Sequence, residues 1–437
     1  MGENRPRVKE YSQCNWGRIQ RRFAFSEDSL ANPILSIRPR QRSNTNMPNP
    51  EQQRIMLFMH GLHGGGSERQ MSYLASELAK THPTTLVTLA YPQSNDYPID
   101  ARVQRIGLGL TSQRGGWIRG LFANRTRIVA LRRICQRINP AVCISFCDTN
   151  NVLAGMAWGK VKPLIVCERS DPRRQKLNRA WEYLRDRSYP RAAAIVSQTS
   201  GVTNYFRSRF GNRVSGVRME TIPSAIVPPE SIAPTTVGIR DSHWDEVAER
   251  RRASERKRLL VVGRLSPEKR IDRAIQAWGR IAPKHPEWVL RIVGDGSSRE
   301  ELMELAKTLE VDRQVEFALW SNDVWSEYQA AHAYCLPSDY EGFPQSLIEA
   351  MHCRLPAVAW DCGEAVQELI GGDGTCGVVV QEPDSLANAL EPILNDALLR
   401  ERMGQVAGTI ASRYHWSAIA PRWLELIRDV GGIRSTV

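Results

Sequence analysis

Long apolar runs are missing from this sequence. No uninterrupted stretch of about 18 apolar residues occurs, which predicts that the chain has no transmembrane helix. Residues 1–22 are polar and basic, and they lack the apolar core of about 7–15 residues that a secretory signal contains. Pro6 stands where the N-myristoylation pattern requires Ser or Thr. We therefore predict a cytoplasmic protein.

Cysteine shows no pairing pattern. The nine cysteines are odd in number and scattered through the chain, as expected for reduced thiols in the cytosol. Cys143 and Cys147 are four residues apart, but neither a second close pair nor a histidine partner accompanies them. The sequence therefore predicts no zinc site.

Acidic residues are scarce in the first part of the chain. Residues 1–228 hold 35 Lys and Arg against 15 Asp and Glu, a net charge of +20. The remaining residues hold 24 against 32, a net charge of −8. We expect an anionic partner for the first part only. The charge by itself leaves nucleic acid, an anionic membrane surface and a phosphorylated substrate as alternatives.

Length and pattern predict two α/β domains. The 437 residues exceed one ordinary core, and strand patterns alternate with helical patterns, as in parallel βαβ units. The predicted segments are a polar, disordered extension at 1–53, a first domain at 54–228, a linker with an insertion at 229–257, a second domain at 258–412 and a C-terminal helix at 413–437 that crosses back to the first domain.

The predicted elements follow from the apolar periodicity. Ser67 is expected to cap a helix at 68–80. Strands are predicted at 54–59, 84–90, 142–146, 164–167, 194–197, 258–262, 288–293, 314–318, 333–337 and 356–360. Further helices are predicted at 269–283, 298–309, 344–353 and 416–430.

The segment SDYEGFPQSLIEAM, residues 338–351, carries two carboxylates. Glu341 lies in a predicted strand-to-helix loop, and Glu349 follows in the helix. Eight helical residues rise about 12 Å, which is farther than the roughly 5–9.5 Å between the carboxyls of a glycosidase pair. The spacing suits two acceptors that hold different parts of one hydroxyl-rich ligand. The N–H groups of the helix start are available for a diphosphate.

The segment VVGRLSPEKRID, residues 261–272, places two cations after a strand. Gly263 permits a sharp turn or the close approach of a ligand. Arg264 and Lys269 can neutralise a leaving diphosphate at the carboxyl end of the strand. Alone, the pattern is also typical of a basic surface loop, but the Glu341 segment downstream makes it more specific.

The segments GRLSPEKRID, RIVGDGSSREEL, YEGFPQSLIEA and GEAVQELI, in that order, resemble the donor domain of family 4 retaining glycosyltransferases. The resemblance is strong over 258–425 and weaker over 54–228. There, FMHGLHGGGSERQ and ERSDPRR are similar to members that transfer N-acetylhexosamines to lipid-linked saccharides. The resemblance implies the α/β GT-B fold, in which two Rossmann-like domains with parallel sheets face each other across a cleft. It also implies a nucleotide-sugar donor, which we expect to be UDP-linked, and a saccharide acceptor.

The resemblance further implies roles for individual residues, with Glu341, Arg264 and Lys269 in catalysis. No D-x-D triplet occurs, so cations would do the work of a metal, and no metal or cofactor is expected. The implied donor site is Glu341 with Gly342, Phe343 and Pro344 at the sugar, Glu349 at the ribose, Arg264 and Lys269 after Gly263 at the diphosphate, Gly294 and Gly296 in the cleft wall, and Gly65 or Gly66 at the donor phosphate.

The sequence departs from the family pattern in two places. Trp320 stands near the position of a usual glycine, which puts recognition of the base in doubt. Cys147 and Asp148 stand where many members have a histidine at the sugar. His60 and His63 lie near the glycine-rich loop, where a solvated histidine is more common than a catalytic one. The sequence leaves a catalytic role for His60, His63 or Asp148 open.

Residues 101–137 contain nine arginines and no acidic residue. A helix here would suit an anionic membrane surface, where each basic residue adds about 1 kcal/mol. That would give a peripheral location on the inner membrane face. An ordinary core helix with a solvated basic face is the equal alternative. The apolar residues that can share one side of this helix are Trp117, Leu121, Phe122, Leu131, Ile134 and Ile138.

Two other functions compete with a transferase. Nucleotide-sugar epimerases of the GT-B type bind the same donors, but they use acid/base carboxylates and histidines that we do not find at identifiable positions. A nucleic-acid-binding protein would explain the basic pI of about 9.4. However, no zinc-finger spacing or aromatic-basic motif supports it, and the acidic second part opposes it. We predict no nucleic-acid partner.

Overall fold

The computed structural model describes residues 53–111, 117–158, 162–229, 241–319, 323–372 and 374–432. The predicted extension up to residue 52, the linker residues 230–240 and Trp320 lie outside this range, as do the side chains of Trp117 and Leu121.

The first sheet has seven parallel strands in the described chain. They are β1 (Ile55–Met59), β2 (Thr84–Thr88), β3 (Gln104–Gly107), β4 (Val142–Phe146), β5 (Leu164–Cys167), β6 (Ala194–Ser197) and β7 (Arg218–Thr221). Their order in the sheet is β3-β2-β1-β4-β5-β6-β7. The central strands are fully buried, because helices cover both faces of a parallel sheet. The edge strands β3 and β7 escaped prediction, since QRIG and RMET carry mostly polar residues.

The second sheet has six parallel strands in the described chain. They are β8 (Lys257–Val262), β9 (Trp288–Val293), β10 (Val315–Ala318), β11 (Ala333–Leu336), β12 (Ala357–Trp360) and β13 (Gly377–Val380). Their order is β10-β9-β8-β11-β12-β13. Five of the six were predicted, and β13 was missed at the edge. The two parallel sheets confirm the predicted α/β class.

Helices cover both faces of each sheet. The N-terminal half, as we call the first sheet and its helices, contains α1 (Gly66–Leu78), α2 (Trp117–Ile138), α3 (Asp148–Trp158), α4 (Arg179–Ser188), α5 (Ser200–Phe210) and α14 (Trp416–Gly431). The C-terminal half contains α6 (Asp241–Ala253), α7 (Ile271–Ile281), α8 (Arg299–Thr308), α9 (Val324–Ala330), α10 (Gln345–His352), α11 (Glu364–Ile370), α12 (Pro383–Asn395) and α13 (Ala397–Ser412). Within the described residues, no helix combines the length and the apolarity needed to cross a membrane.

Helix α1 begins earlier than predicted. Its N-cap is Gly65, which has no side chain to offer, and Ser67 lies inside the first turn. The predicted cap at Ser67 was therefore wrong, because the glycine-rich loop runs directly into the helix. Leu74 and Leu78 are buried on one face, as predicted. The first-turn N–H groups of α1 thus have no side-chain cap from the N-cap residue.

The segment predicted as a linker contains α6. Trp244 and Val247 are buried in the core of the C-terminal half. Arg251 donates to the carbonyl oxygens of Tyr328 at 2.9 Å and Cys353 at 3.0 Å, which lie at the carboxyl ends of α9 and α10. The positive charge there also complements both helix dipoles. The charged stretch is part of the packed half.

Helix α14 follows α13 in the chain but packs on the first sheet. Ile419, Trp423 and Leu426 are buried in the core that contains the central strands. The Trp423 ring stacks on Phe146 with a centroid separation of 6.0 Å. An isolated parallel bridge between Ile226 and His415 precedes the helix. The C-terminal helix therefore completes the N-terminal half.

Candidate active site

The carboxyl ends of strands from both sheets meet at a cavity of about 820 Å³. Parallel α/β sheets place their ligand sites at this edge. The N-terminal half contributes lining residues from the loops after β1, β2, β4, β5, β6 and β7: Gly64, Gly65, Gly66, Ser67, Glu68, Arg69, Asp96, Tyr97, Cys147, Arg169, Gln198 and Ser224. The C-terminal half contributes Gly263, Arg264, Glu268, Lys269, Tyr340, Glu341, Gly342, Phe343, Gln345, Ser346 and Glu349.

Lys269 and Glu341 form an ion pair at this cavity. A short 3-10 turn, Pro267–Lys269, follows β8 and presents the lysine. Its Nζ lies 2.7 Å from the Oε1 atom of Glu341, which also accepts a hydrogen bond of 2.9 Å from Ser338. Burial lowers the pKa of Lys269, but the adjacent carboxylate outweighs this effect and leaves the pKa raised. The lysine is therefore a fixed cation.

Glu349 lies deeper, on α10, with 3% of its side chain exposed. Its Oε2 atom accepts a hydrogen bond of 3.0 Å from the Tyr328 hydroxyl. Its Oε1 atom accepts one from the guanidinium of Arg69 on α1. Burial raises the pKa of Glu349, and Arg69, Tyr328 and Gln345 each oppose that rise. The second predicted carboxylate therefore contacts both halves.

The glycine-rich loop faces Arg264. The Nη2 atom of Arg264 donates to the carbonyl oxygen of Gly64 at 3.3 Å. A Cβ atom added at Gly65 would lie 2.2 Å from Glu68 Oε2, so the flexible side chain of Glu68 would have to move away. A Cβ at Gly66 would lie 3.4 Å from the Gln345 side chain. The start of α1 thus lies beside the start of α10.

Gly342 marks the closest approach between the halves near Glu341. A Cβ atom at Gly342 would lie 2.1 Å from the carbonyl oxygen of Arg169. Gly342 and Phe343 both line the cavity. Pro344 instead forms the N-cap of α10 and does not line it. A side chain at position 342 would therefore force the two halves apart.

Gly294 and Gly296 do not line the cavity, which corrects the prediction from the resemblance. A Cβ at Gly294 would lie 1.9 Å from the carbonyl oxygen of Gly263. One at Gly296 would lie 2.3 Å from that of Leu265. These glycines let the loop after β9 pack against the loop that carries Arg264. Gly294 and Gly296 therefore contact the backbone of the Arg264 loop, and Gly263 of that loop lines the cavity.

Neither loop histidine lines the cavity. His60 is exposed, and His63 Nδ1 lies 3.6 Å from an oxygen of Asp96. Asp148 also lies outside the lining, with Oδ2 3.8 Å from the buried Arg185. Cys147 does line it, with a left-handed backbone (φ 72°), which non-glycine residues rarely adopt. Burial raises the pKa of its thiol, so it faces the cavity as a neutral group.

The motifs ERSDPRR and GEAVQELI meet across the cleft. The Glu364 carboxylate accepts from the Gly201 N–H at 2.8 Å and from Ser200 Oγ at 3.0 Å. It also pairs with Arg173 at 3.3 Å. A carboxylate at the start of α5 is favoured by the helix dipole. These motifs therefore hold the halves together beside the cavity.

Two cations at the cavity were not assigned from sequence. Arg69 follows the glycine-rich loop, and Arg169 follows β5. The guanidinium of Arg169 lies 4.9 Å from the Phe146 ring centroid and donates to Ser224 Oγ at 2.8 Å. Arg69 belongs to the segment GGGSERQ and Arg169 to the segment ERSDPRR, which both take part in the family resemblance. Their positions could have indicated a role at the site, because Arg69 lies one turn into α1 and Arg169 lies just after β5.

Two glycosyltransferase family models match the chain. The model for group 1 glycosyl transferases matches residues 242–408, and the model for the glycosyl transferase 4-like domain matches residues 65–225. An uncharacterized glycosyltransferase of Haemophilus influenzae is 34% identical over 170 residues, which are 39% of this chain and 48% of that protein. The chain therefore spans about half the length of that relative.

Other similarities extend over most of the chain. A Campylobacter jejuni α-1,4-N-acetyl-D-galactosaminyltransferase, named for a GalNAc-GalNAc-diNAcBac-PP-undecaprenol substrate, is 27% identical and covers 86% of this chain and 99% of its own length. The structure of Anabaena HepE in complex with UDP-glucose gives a TM-score of 0.67 at 17% identity, with 86% of this chain and 100% of that chain covered. The likeness confirms the predicted GT-B fold. With a 4-like domain in its N-terminal half and a group 1 domain in its C-terminal half, the chain belongs to the family 4 type of glycosyltransferases.

Proposed function

We propose that this protein is a retaining, metal-independent glycosyltransferase that uses a nucleotide sugar, most simply a UDP-linked one. The observation that carries the proposal is the convergence of Arg264, Lys269, Glu341 and Glu349 on one cavity. Two cations and two carboxylates on one wall match a ligand with a diphosphate between two hydroxyl-bearing rings. The starts of α1 and α10 add N–H groups for the phosphates.

Each charged group has a proposed task. Glu341 accepts hydroxyl hydrogens of the donor sugar, and Glu349 accepts those of the ribose. Arg264 and Lys269 stabilise the charge that grows on the departing diphosphate, so that no metal is required. Gly65 and Gly66 let the loop backbone approach the phosphate. Gly342 and Phe343 offer their backbone N–H groups near the sugar.

The proposed reaction keeps the configuration at the sugar. The acceptor hydroxyl attacks the anomeric carbon on the face from which the diphosphate leaves. The bond from that carbon to the phosphate oxygen breaks, and the bond to the acceptor oxygen forms. The acceptor proton passes to the departing phosphate oxygen. This route needs no enzymic nucleophile, which agrees with the positions of His60, His63 and Asp148 outside the cavity lining.

The proposed acceptor is a lipid-linked saccharide, and the proposed sugar is an N-acetylhexosamine. The Campylobacter relative, which aligns over nearly its whole length, is named for both. An acceptor of this kind carries a diphosphate, and the N-terminal half is the strongly basic part of the chain. Arg169 at the cavity is a cation on that side.

The test is binding followed by transfer. We expect at least one of UDP, GDP and ADP sugars to raise the melting temperature, because a ligand that binds only the folded state stabilises it by RT ln(1 + [L]/Kd). Incubated with an α-linked donor and a lipid-linked saccharide, the enzyme should form an α-linked product, as NMR coupling constants can determine. A β-linked product would refute retention. A new sugar nucleotide formed from donor alone would favour the epimerase.

We also propose that α2 attaches the protein to the inner face of an anionic membrane. Phe122 is 64% exposed, and Arg125 and Arg133 are exposed on the same helix. Arg132 instead donates to the carbonyl oxygen of Met156 at 2.8 Å, so it serves the fold. Leu131 is fully buried, so the carboxyl-terminal part of α2 is a core helix. The exposed side of α2, which carries Phe122, Arg125 and Arg133, is the proposed lipid-facing side.

Reversing both exposed charges should release the protein from vesicles. The double variant Arg125→Glu and Arg133→Glu changes the net charge by −4, and about 1 kcal/mol per basic residue predicts a loss of binding of at least 30-fold in ~0.1 M salt. Co-sedimentation with phosphatidylglycerol vesicles measures it. The control reverses Arg402 and Arg413, which are exposed in the C-terminal half. If the α2 variant binds the vesicles as well as the control variant does, α2 is only structural.

A further inference from the structure

The buried carboxylate of Glu349 has its only cationic partner, among the described residues in contact with it, on the opposite half. Arg69 and Glu349 are 280 positions apart in the chain, and their side chains are 14% and 3% exposed. The other groups around the carboxylate are neutral: Tyr73, Tyr97, Tyr328, Tyr334, Gln345 and Cys353.

A ribose diol needs an ionised partner. Its two hydroxyl groups both donate, and only a carboxylate offers acceptor sites on both oxygens, since a protonated carboxyl is itself a donor. Burial works against this, because removal from water disfavours the charged form. Tyr328 donates one hydrogen bond of 3.0 Å but carries no charge. Among the described residues around the buried Glu349, those of the C-terminal half therefore supply no countercharge.

We infer that Arg69 is a positioning residue that completes the nucleoside end of the donor site from the N-terminal half, holding Glu349 ionised and oriented. The role of Glu349 toward the ribose rests on the function proposed above. The start of α1 is held beside α10 by the hydrogen bond from Gln70 to Gln345, 3.3 Å long, and by the close approach of Gly66 to Gln345. Donor affinity and closure of the cleft are thereby linked through one ion pair.

The sign of the pH dependence follows from this pair. Arg69 lowers the pKa of Glu349 against the effect of burial. Replacing it with glutamine lets that pKa rise, so the carboxylate is lost at a higher pH than in the wild type. The deficit in nucleotide affinity should therefore be large at pH 6 and shrink toward pH 8.5. Phosphate protonation on the nucleotide affects both proteins alike and cancels in their ratio.

The experiment is titration calorimetry of the full chain with UDP, GDP and ADP at both pH values. For the nucleotide that binds best, we expect Arg69→Gln to weaken binding by about 10- to 100-fold at pH 6, the size of a lost charged hydrogen bond. Arg69→Lys, which keeps the charge, should keep the wild-type pH profile. In a Glu349→Gln background, Arg69→Gln should change affinity by less than about 3-fold.

Melting temperatures without nucleotide give an independent measurement. When the pKa of a carboxyl is higher in the folded than in the unfolded state, the protein loses stability as the pH rises from the unfolded-state pKa through the folded-state pKa. The melting temperature of Arg69→Gln should therefore fall more between pH 5.5 and 8 than that of the wild type, and Glu349→Gln should abolish this difference. A pH-independent loss in both measurements would overturn the inference. Failure of the wild type to bind any of the three nucleotides would instead refute the proposed function.

Discussion

Replacing Lys269 with alanine is expected to lower kcat/KM for sugar transfer by about 10³-fold. Removing one preorganised group that stabilises a transition-state charge costs about 10²- to 10³-fold. Here the loss is at the upper end, because the same change leaves Glu341, whose side chain is only 14% exposed, without its cation. An unpaired carboxylate at the donor sugar also repels the diphosphate. Steady-state kinetics at saturating acceptor measures the effect.

A matched lysine separates this effect from a general loss of charge. Lys284 lies in the same half and pairs with Glu391 at 2.9 Å, but its side chain is 65% exposed. Lys284→Ala should transfer at the wild-type rate, since exposed pairs contribute roughly 0–1 kcal/mol. Lys269→Ala should keep its circular dichroism spectrum. Turnover by Lys269→Ala within about 3-fold of wild type would remove the lysine from the mechanism.

Replacing Trp423 with alanine is expected to lower the free energy of unfolding by about 3–5 kcal/mol, as for other buried tryptophans. The ring is 3% exposed and stacks on Phe146 in the core of the N-terminal half. Its removal leaves a cavity between α14 and the first sheet. Urea unfolding followed by circular dichroism measures the loss.

Hydrogen exchange shows which strands lose stability in Trp423→Ala. Amide protection should fall in β4, which contacts α14, and stay near the wild-type level in β8 and β11. The control Arg428→Ala, at an exposed site on the same helix, should stay within about 0.5 kcal/mol of wild type. A loss of less than 1 kcal/mol in Trp423→Ala would mean that α14 contributes little to that core.

The strands that sequence reasoning found are the buried ones. Segments such as IMLFM and VCISF are apolar throughout, and the structure buries every residue of both. The edge strands β3 and β7 were missed because QRIG and RMET carry few apolar residues. The strand β13, GVVV, is apolar but only four residues long, and it was not assigned. Helix α6 was missed because Trp244 and Val247 are its few buried apolar positions among charged ones. Periodicity does not reveal a helix that buries so few side chains.

In the candidate site, the sequence predicted residues that stand in local motifs, but it did not predict contacts between the two halves. Arg264, Lys269, Glu341 and Glu349 stand in short segments with a recognisable spacing, and all four line the cavity. The contact between Arg69 and Glu349 depends on how two separately folded sheets approach each other, which no local pattern encodes. Gly294 and Gly296 show the reverse error. Their glycine character reflects backbone packing against the Arg264 loop, and a sequence does not distinguish that from contact with a ligand.

Because α14 follows the C-terminal half in the chain but packs on the first sheet, an exchange of domains between relatives has to keep α14 with that sheet. A chimera that joins residues up to about 226 from one protein to everything after that point from another would pair the first sheet with a foreign Trp423 face. Junctions at Ile226 and His415, where the two crossing segments form a bridge, keep that face with its own sheet. Recombinants built on both junctions should stay soluble and exchange donor preference, whereas single-junction recombinants should be prone to aggregation.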